Sequence, residues 1–496
     1  MQILYKSTRG GGTSVPASAA ILKGLADDGG LFVPDRFPKL SVSFEELARM
    51  SYRETAFEVM RLFLTDFTDE ELKHCIDSAY DSKFDIPEIT RLTDADSASF
   101  LELFHGRTIA FKDMALSILP HLMTVSARKN GIKNRIMILT ATSGDTGKAA
   151  MAGFADVPGT AIIVFYPKGG VSPVQEKQMV TQAGQNTHVV AIRGNFDDAQ
   201  TAVKKIFGSK ALADEMDQCG IQFSSANSIN IGRLVPQVVY YVYSYAQMVR
   251  SGKVSAGDPV NFVVPTGNFG NILAGWYAKQ IGIPVKKLIC ASNDNKVLFD
   301  FFRTGTYDKN RPFILTSSPS MDILVSSNLE RLLYHAADGD AAKTASLMED
   351  LSVSGKYEIT QAMKNNMSDF AEGYADEDFV SETISRIYKS SGYVIDPHTA
   401  VAAAVYSRYR SETDGLTPAV IVSTASPYKF ARSVLHAIDA EAYDPLDDMQ
   451  QFDALEKVSG VKIPPAIEEL RTAPVRHNTV IDPDEMEDTV RKIAGL

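Results

Sequence analysis

The sequence predicts an α/β fold in which parallel sheets are covered by helices on both faces. Six short apolar runs are each followed by a turn of Gly, Ser, Asn or Asp and then by a helical pattern. Strands that are buried on both faces of a parallel sheet have such near-continuous apolar sequences, and helices connect them. The runs are RIMILTAT (135–142), TAIIVFYP (160–167), THVVAIRG (187–194), VNFVVPTG (260–267), KKLICASN (286–293) and AVIVSTAS (419–426).

The chain before these runs favours helices instead. The segment 43–64 has apolar residues at helical spacing, and Thr68 with Glu71 forms a capping-box pattern before another helix. Residues 330–395 are charged and helical, which is typical of a peripheral insertion. We therefore expect three parts: an N-terminal helical subdomain (1–95), a small α/β domain (96–215) that carries Lys112 and the 142–147 loop, and a large α/β domain (216–496) with a helical insertion near 330–395.

Composition argues against several classes of function. The 496-residue chain has a net charge of −11, whereas a nucleic-acid-binding surface must be positive. No apolar run approaches the roughly 20 residues that span a bilayer, and MQILYKSTRGGG lacks a signal-peptide core. Cys75, Cys219 and Cys290 form neither a CxxC pair nor a disulfide framework. We expect buried free thiols, a cytoplasmic location, and neither nucleic acid nor membrane as a partner.

The loop after the fourth apolar run suits an anion. In VVPTGNFGNILAGWYA (263–278), Gly267 and Gly270 allow the backbone to approach a ligand closely, and a helix begins near Asn271. Backbone N–H groups at a helix N-terminus favour negative charge. The spacing is not the G-x-G-x-x-G dinucleotide fingerprint. A phosphate monoester site and an ordinary strand-to-helix turn remain equal alternatives at this point.

A second loop, TATSGDTGKAA (140–150), resembles a P-loop only superficially. Two residues separate Gly144 from Gly147, and Ala149 stands where Ser or Thr would bind magnesium. The hydroxyls and backbone amides of this turn suit a carboxylate or another anion instead. In a third loop, IVSTASPYKF (421–430), a hydroxyl after the strand is more often a helix cap than a ligand.

A single lysine, Lys112, occupies an apolar setting in FHGRTIAFKDMAL (104–116). Most lysines are solvated surface charges, because Lys is rarely buried unless it is paired. An apolar environment lowers the pKa of an amine, and a neutral amine can act as a nucleophile or a base near neutral pH. The local sequence alone leaves both interpretations open.

The combination of these loops resembles a known family. AFKD, ATSGDTG, PTGNFGN and STASPYKF, in this order, resemble the threonine synthases, which are pyridoxal-phosphate enzymes of the tryptophan-synthase-β-like fold (type II). The blocks YKSTRG, GGLFVP, YPKGGVSPVQEKQM, NSINIGRLVPQ, SPSMDILVSSNLERLL and IDPHTAVAAAV extend the likeness almost end to end, closest to the long bacterial and fungal members. The resemblance implies the conversion of O-phospho-L-homoserine and water to L-threonine and phosphate, the last step of threonine biosynthesis.

The resemblance also implies residue roles. Lys112 would form the internal aldimine with pyridoxal 5'-phosphate, and Thr424 would face the pyridine nitrogen. The cofactor phosphate would be held by Gly267, Asn268, Phe269, Gly270 and Asn271. The loop near the cofactor ring and the substrate would be Ser143, Gly144, Asp145 and Thr146. The substrate phosphate needs further cations. The first candidates are Lys168 and Arg233, and the second are Arg107, Lys148 and Lys429. For each of them, a solvated surface charge is the alternative interpretation.

Some positions differ from the family pattern or invite another role. Arg107 stands where Pro is common, and Lys148 where a small residue is common. Pro120 lies within a predicted helix, so we expect a kink or a late helix start. Asp396 and His398 in DPHTA are possible catalytic groups, but we expect Asp396 to cap a helix and His398 to hydrogen-bond locally. The histidines lack metal-ligand spacing, so no metal site is proposed.

Other functions remain as alternatives. A serine or threonine dehydratase would share the lysine, the glycine-rich loop and the ring-nitrogen partner, but NSINIGRLVPQ and SPSMDILVSSNLERLL favour threonine synthase. A non-catalytic relative that only binds the cofactor is a second alternative, against which the intact Lys112 argues. A pyridine-nucleotide dehydrogenase is more distant, because no dinucleotide fingerprint is present. A small-molecule substrate and a monomer or homodimer are expected.

Overall fold

The computed structural model describes residues 2–142, 144–171, 173–413 and 415–496, and its elements alternate along the chain. The strands are β1 Tyr5–Ser7, β2 Phe32–Pro34, β3 Arg91–Ala95, β4 Ala98–Glu102, β5 Arg135–Ala141, β6 Thr160–Pro167, β7 Thr187–Ile192, β8 Ile221–Ser224, β9 Val260–Pro265, β10 Val285–Ser292, β11 Thr306–Asp308, β12 Lys356–Glu358, β13 Phe370–Tyr374, β14 Ala419–Ser423 and β15 Thr479–Ile481.

The helices complete this alternation. They are α1 Ala17–Lys23, α2 Phe44–Leu47, α3 Tyr52–Phe63, α4 Asp69–Ala79, α5 Asp113–Leu116, α6 Leu119–Lys129, α7 Asp145–Phe154, α8 Pro173–Val180, α9 Phe196–Gly208, α10 Lys210–Gln218, α11 Ile231–Arg250, α12 Gly270–Ile281, α13 Val297–Thr304, α14 Leu329–Ala336, α15 Ala341–Val353, α16 Gln361–Asn366, α17 Glu377–Ser391, α18 Pro397–Glu412, α19 Ala431–Tyr443, α20 Asp448–Ser459, α21 Pro465–Glu468 and α22 Met486–Ala494. Short 3₁₀ turns include Pro319–Met321 and Pro427–Phe430.

Two parallel sheets form the centre of the protein. The five-stranded sheet has the order β15-β7-β6-β5-β8, and all its pairs are parallel. The six-stranded sheet has the order β13-β10-β9-β14-β4-β3 and is parallel except for the β3–β4 hairpin. The six apolar runs became β5, β6, β7, β9, β10 and β14, so the predicted strands and the α/β class are confirmed.

The sheets connect segments across the predicted domain boundaries. The hairpin of β3 and β4 lies on both sides of residue 95 and joins the six-stranded sheet. Strand β8 pairs with β5, and β15 pairs with β7, so residues beyond 215 contribute to the five-stranded sheet. The region near 330–395 contains four helices together with β12 and β13, and β13 forms an edge of the six-stranded sheet. The boundaries themselves stay a prediction.

Helix α11 lies at the centre of the core. Every residue from Ile231 to Ala246 is buried, and the helix packs against α12 and α3. Because this helix is covered on all sides, its polar side chains have fixed positions and so fix the groups to which they are hydrogen-bonded. Tyr240 and Tyr241 donate hydrogen bonds to the side-chain oxygen of Asn271 at 2.6 and 2.8 Å, respectively. The core therefore fixes the first turn of α12.

Helix starts follow the sequence signals. Thr68 and Glu71 form the expected capping box at α4, with reciprocal hydrogen bonds of 3.0 and 3.2 Å. Helix α6 begins at Leu119, so Pro120 lies in its first turn, where a missing N–H costs no helical hydrogen bond. The late helix start expected from Pro120 is confirmed.

The cysteines and the helix lengths complete the comparison with the sequence. Cys75 and Cys290 are buried free thiols, as expected, whereas Cys219 is exposed. The expectation is wrong for Cys219 because this residue follows the last turn of the surface helix α10. Within the described ranges, none of the helices combines the length and the apolar character needed to cross a bilayer.

A buried charge cluster lies at the end of β4, just before the Lys112 loop. The Glu102 carboxylate accepts hydrogen bonds from His105 Nε2 at 2.9 Å and from Tyr393 at 3.0 Å. The Nδ1 atom of His105 lies 2.7 Å from Asp85. Burial alone would lower the pKa of His105, but the hydrogen bonds to the two carboxylates outweigh it and raise that pKa above the ordinary value. His105 therefore stays protonated to a higher pH than an unperturbed histidine does.

We expect His105→Gln to weaken folding more at pH 6 than at pH 9. The raised pKa of His105 gives stability that is fully present below the unfolded value of about 6.5 and is lost as pH rises through the folded value. At pH 6, loss of the charged hydrogen bonds should cost about 2–3 kcal/mol, measured by urea unfolding.

The matched control for this prediction is His436→Gln. His436 is exposed and pairs with Asp444 at 2.9 Å. An exposed pair contributes about 0–1 kcal/mol, so this variant should change the free energy of unfolding little at either pH. An equal loss for His105→Gln at both values would contradict the assignment.

Candidate active site

Three loops meet at one edge of the six-stranded sheet. Strands β4, β14 and β9 are parallel neighbours, so the loops that follow them lie side by side. Phe111 N–H donates to the Thr424 carbonyl at 2.8 Å, and Ser426 N–H donates to the Ile109 carbonyl at 3.0 Å. The Lys112 loop and the loop after β14 are therefore joined through their backbones.

Lys112 is a buried amine rather than a surface charge. It immediately precedes α5, and its side chain is only 11% exposed. Its Nζ atom lies 3.1 Å from the Ser320 hydroxyl and 3.3 Å from Asp145 Oδ2. Burial lowers the pKa of Lys112, Asp145 opposes this effect, and the charges of Lys429 and Arg233 add to it. The amine is therefore closer to its neutral form at neutral pH than an ordinary lysine is.

Asp145 joins two lysines at the first turn of α7. Its Oδ2 atom faces Lys112, and its Oδ1 atom lies 3.1 Å from Lys429 Nζ. Burial would raise the pKa of Asp145, but the positive charges of Lys112 and Lys429 hold it well below the ordinary value. Gln175 of α8 also donates to Oδ1, at 3.0 Å. Asp145 is consequently an ionised carboxylate that accepts from several donors.

Ser320 links Lys112 to the rest of the site. Its hydroxyl donates to Asp145 Oδ2 at 2.9 Å, and its backbone N–H donates to His398 Nε2 at 3.2 Å. The other ring nitrogen of His398 lies 2.9 Å from Asp396, which caps α18. The expected local roles of Asp396 and His398 are confirmed. Sequence analysis missed Ser320, although it lies in the SPSMDILVSSNLERLL block, because its contact with Lys112 spans 208 residues.

The 267–271 loop passes close to the same serine. A Cβ atom on Gly267 would lie 2.6 Å from the Ser320 carbonyl oxygen, so only glycine fits. Phe269 adopts a left-handed conformation with φ of 65° immediately before α12. Within the described chain, the backbone N–H groups of residues 267–271 donate to no protein atom. Lys112 thus contacts the Ser320 hydroxyl, and this loop packs against the Ser320 backbone carbonyl.

The loop fits the phosphate of a cofactor. Successive N–H groups without acceptors, at the N-terminus of a twelve-residue helix, form an anion site. The side-chain Nδ2 of Asn271 is buried and also lacks a partner in the described chain, while its Oδ1 is held by two tyrosines. Because a buried donor without a partner is costly, Asn271 favours a bound acceptor. The residues expected to hold the phosphate are therefore suited to it.

The other predicted cofactor and ring residues lie nearby. Thr424 is buried, and its carbonyl binds the Lys112 loop. Gly144 and Gly147 N–H groups donate to the Thr142 hydroxyl at 3.0 Å each, which shapes the turn into α7. Thr146 is half-buried in the first turn of α7. Ser143 lies outside the described residues.

The predicted substrate cations have different surroundings. Arg233 is buried, and its Nη1 donates to the Ala226 carbonyl at 3.0 Å, but its Nε has no partner in the described chain. Burial lowers the pKa of Arg233 to about 10. Lys168, in contrast, is 53% exposed and pairs with Glu176. The structure brings Arg233 near the Lys112 amine and leaves Lys168 at the surface.

The remaining candidate cations each have a neighbour. Lys429 donates to the Thr108 carbonyl at 3.1 Å in addition to its pair with Asp145. Lys148 donates to the Gln182 side chain at 2.6 Å, and burial lowers its pKa to about 8. Arg107 is exposed. Of the three, Lys429 is the one in direct contact with the site.

Asp113 shapes the loop that carries Lys112, a role that sequence analysis missed. It accepts hydrogen bonds from the N–H and the hydroxyl of Thr108, both at 2.7 Å. A Cβ atom on Gly106 would lie 2.5 Å from the Asp113 carboxylate, so the loop also needs glycine there. The position of Asp113, directly after Lys112 in the sequence, was the one signal that could have indicated this role.

Family models match the chain in three consecutive regions. They are described as "Threonine synthase N terminus" for residues 4–80, "Pyridoxal-phosphate dependent enzyme" for residues 86–425 and "Threonine synthase, C-terminal" for residues 399–490. The second model alone matches more than half of the chain.

Several relatives are similar over most of their length. Threonine synthase of Schizosaccharomyces pombe is 39% identical in an alignment that covers 88% of this chain and 90% of the relative. Threonine synthase of Saccharomyces cerevisiae is 36% identical, over 92% of this chain and 94% of the relative. The human protein "Threonine synthase-like 1" is 40% identical over 88% of this chain, which spans only 60% of its length.

Solved structures agree with this relationship. The pyridoxal-phosphate-bound threonine synthase from Brucella melitensis superposes with a TM-score of 0.86 at 35% identity and covers 100% of both chains. The yeast threonine synthase has a TM-score of 0.88 at 33% identity and covers 99% of both chains. The resemblance, the fold type and the cofactor predicted from the sequence are confirmed. The chain therefore belongs to the threonine synthase family of pyridoxal-phosphate-dependent enzymes of fold type II.

Proposed function

We propose that this enzyme converts O-phospho-L-homoserine and water to L-threonine and phosphate, with Lys112 as the catalytic base and the covalent attachment point of the cofactor. The observation that carries these roles is the contact of one residue, Ser320, with both the Lys112 amine and the backbone of Gly267. An amine and an anion-binding loop that both approach a single residue suit one small phosphorylated molecule.

The cofactor would be held at three points. Lys112 would bind it covalently, the N–H groups of residues 267–271 and the Asn271 amide would bind its phosphate, and the Thr424 hydroxyl would face its ring nitrogen. When bound, pyridoxal phosphate supplies an electron sink for charge that develops on the substrate carbon next to the amine. A neutral hydroxyl at Thr424, unlike a carboxylate, does not favour a protonated ring nitrogen.

Lys112 would move protons at the substrate. Its lowered pKa gives a neutral amine that can take the proton from the substrate Cα. Ser320 and Asp145 hold this amine at 3.1 and 3.3 Å, and the ionised Asp145 stabilises the ammonium that forms. A second proton must leave Cβ before phosphate departs from Cγ, and Cγ then takes up a proton. Water finally adds at Cβ.

Arg233 would bind the phosphate of the substrate. It is buried beside Lys112, it has no carboxylate partner within the described residues, and its Nε is unused. An arginine fork suits phosphate geometry, and a buried cation without an ion partner favours an anionic ligand. Lys168, Ser143, Asp145 and Thr146 stay predictions as substrate contacts.

The setting of the enzyme is also part of the proposal. A cytoplasmic location is supported by three free cysteines, because disulfides are rare in reducing compartments. The proposal also keeps the predicted partners: a small-molecule substrate, no nucleic acid or membrane, and an assembly as monomer or homodimer.

Product analysis tests the proposed reaction. We expect the purified holoenzyme to release threonine and inorganic phosphate in equal amounts from O-phospho-L-homoserine. A 2-oxoacid with ammonia would identify a dehydratase instead. Cofactor binding without turnover would identify a non-catalytic member, so either result would overturn the proposal.

Lys112→Ala should abolish the visible absorbance band of the bound cofactor and lower turnover by at least about 10³-fold, because a positioned base alone contributes about 10²–10⁴-fold. Absorbance before and after borohydride, together with phosphate release, measures both effects. Lys210→Ala is the matched control, since this lysine is 86% exposed and pairs only with Asp214. Normal absorbance in Lys112→Ala would refute the assignment.

Asp145→Asn should allow the apoenzyme to capture pyridoxal phosphate at lower pH. The negative charge of Asp145 raises the pKa of Lys112 against the effect of burial. Without this charge the amine is neutral at lower pH, so the midpoint of the capture rate should move down. Stopped-flow absorbance across pH measures it, with Asp300→Asn, which pairs with Lys296 and Arg311, as control. An upward shift would contradict this account.

Arg233→Gln should lower kcat/KM for O-phospho-L-homoserine by about 10- to 100-fold, because it removes a charged hydrogen bond to phosphate. The dissociation constant of the cofactor should change far less. Arg250→Gln, at the other end of the same helix, removes a surface arginine that donates to the Ala48 and Met50 carbonyls and lies over the Tyr243 ring. Equal effects in the two variants would argue against a substrate role.

A further inference from the structure

Arg331 is a completely buried arginine without an ion partner. It lies in the first turn of α14 and is 0% exposed. Its guanidinium donates to the Phe32 carbonyl at 2.9 Å, to the Ile229 carbonyl and to the side-chain oxygen of Asn328. Among the described residues no carboxylate pairs with it. All three acceptors are uncharged, and the only carboxylate charge that acts on the guanidinium among the described residues, that of Glu330, does so without direct contact and does not outweigh burial.

The neighbouring carboxylate is engaged elsewhere. Glu330 binds Arg9 at 2.8 Å and accepts from the Thr8 hydroxyl at 2.5 Å. A buried charge is costly unless an opposite charge lies near it, and burial lowers the pKa of Arg331 accordingly. An anion bound close to Arg331 would remove this cost. The nearest candidate for an anion site is the 267–271 loop, which Arg331 reaches through Asn328.

Asn328 transmits the position of Arg331 to the loop. Because its side-chain oxygen accepts from Arg331, its Nδ2 faces the other way and donates to the Asn268 carbonyl at 3.1 Å. The backbone N–H of Asn328 donates to the same carbonyl, also at 3.1 Å. Two donors thus hold one carbonyl. A Cβ atom on Gly270 would lie 3.3 Å from Nδ2, so the amide packs directly against the loop.

The direction of the Asn268 carbonyl sets the direction of an N–H group. In a trans peptide the carbonyl and the following N–H point to opposite sides. With the Asn268 carbonyl held toward α14, the Phe269 N–H points away from α14, where it has no acceptor in the described chain. Phe269 also has a left-handed φ of 65°, a conformation that needs support for a residue other than glycine. A loose carbonyl would let this peptide turn.

We propose that Arg331 is a positioning residue for the cofactor phosphate: through Asn328 it fixes the peptide that presents the Phe269 N–H, and it places a buried positive charge behind the loop. The inference rests on the proposed role of residues 267–271 and names the residues that prepare that loop. Arg331 also holds the Ile229 carbonyl, two residues before α11 begins. One guanidinium therefore fixes the phosphate loop and the approach to the helix that carries Arg233.

The test compares two probes that differ only in phosphate. Apoenzyme variants are titrated with pyridoxal phosphate and with pyridoxal, and the visible absorbance gives each dissociation constant. Arg331→Met should raise the dissociation constant of pyridoxal phosphate by about 10- to 100-fold. It should raise the dissociation constant of pyridoxal by less than about 3-fold. Arg331→Lys, which keeps the charge but loses the fork, should restore part of the difference.

A second variant separates the proposed role from simple structural support. Asn328→Asp keeps an acceptor for Arg331 and adds an ion pair, so the apoenzyme should unfold at the same or a higher urea concentration. Its carboxylate cannot donate to the Asn268 carbonyl, and it neutralises Arg331. Pyridoxal phosphate should therefore bind about 10-fold or more weakly, while pyridoxal changes little. This variant decides the matter if Arg331→Met does not fold.

The control is Glu330→Gln. It disrupts the neighbouring ion pair with Arg9 and should lower stability without changing the ratio of the two dissociation constants. An unchanged ratio in Arg331→Met and Asn328→Asp would overturn the inference, and so would equal weakening of both probes. A wild-type enzyme that binds pyridoxal phosphate but makes no threonine would refute the proposed reaction and leave this result intact.

Discussion

The site depends on one buried carboxylate shared by two lysine amines. Asp145 opens α7, which follows a strand of the five-stranded sheet, whereas Lys112 and Lys429 follow β4 and β14 of the six-stranded sheet. The two sheets share a hydrophobic core, and at the site their loops are also joined by this charged contact. Because buried ion pairs add little net stability, its main consequence is geometric: it fixes the distance between the amine and the loop from the other sheet.

The electrostatic potential at the site is opposite in sign to the net charge of the whole protein. The chain carries a net charge of −11, yet the charges of Lys429 and Arg233 both act on Lys112, and Asp145 is the single described carboxylate in direct contact with any of these three. A pocket of this sign concentrates anions, whereas the acidic exterior does not. Cofactor and substrate each carry phosphate, so the arrangement matches both.

Much of this was predictable from local sequence, and the rest was not. The strands followed from apolar runs of the right length, and the site loops from their position after strands. Ser320 contacts Lys112 across 208 residues and Asn328 contacts Asn268 across 60, and no local pattern specifies such contacts. Lys168 stays a predicted substrate contact, and its pair with Glu176, one turn into α8, is a contact that the sequence did not indicate. Tertiary neighbours of this kind cannot be derived from composition or local pattern.

The pairing of β15 with β7 has a consequence for biosynthesis. Strand β7 ends at Ile192, but its neighbour on the outer side, Thr479–Ile481, is translated nearly 290 residues later. During elongation one side of the five-stranded sheet therefore exposes unpaired backbone groups, which invite association with other chains. At about 5–20 residues per second, a nascent polypeptide would remain in this condition for many seconds, an interval in which chaperones on the ribosome would shield that edge.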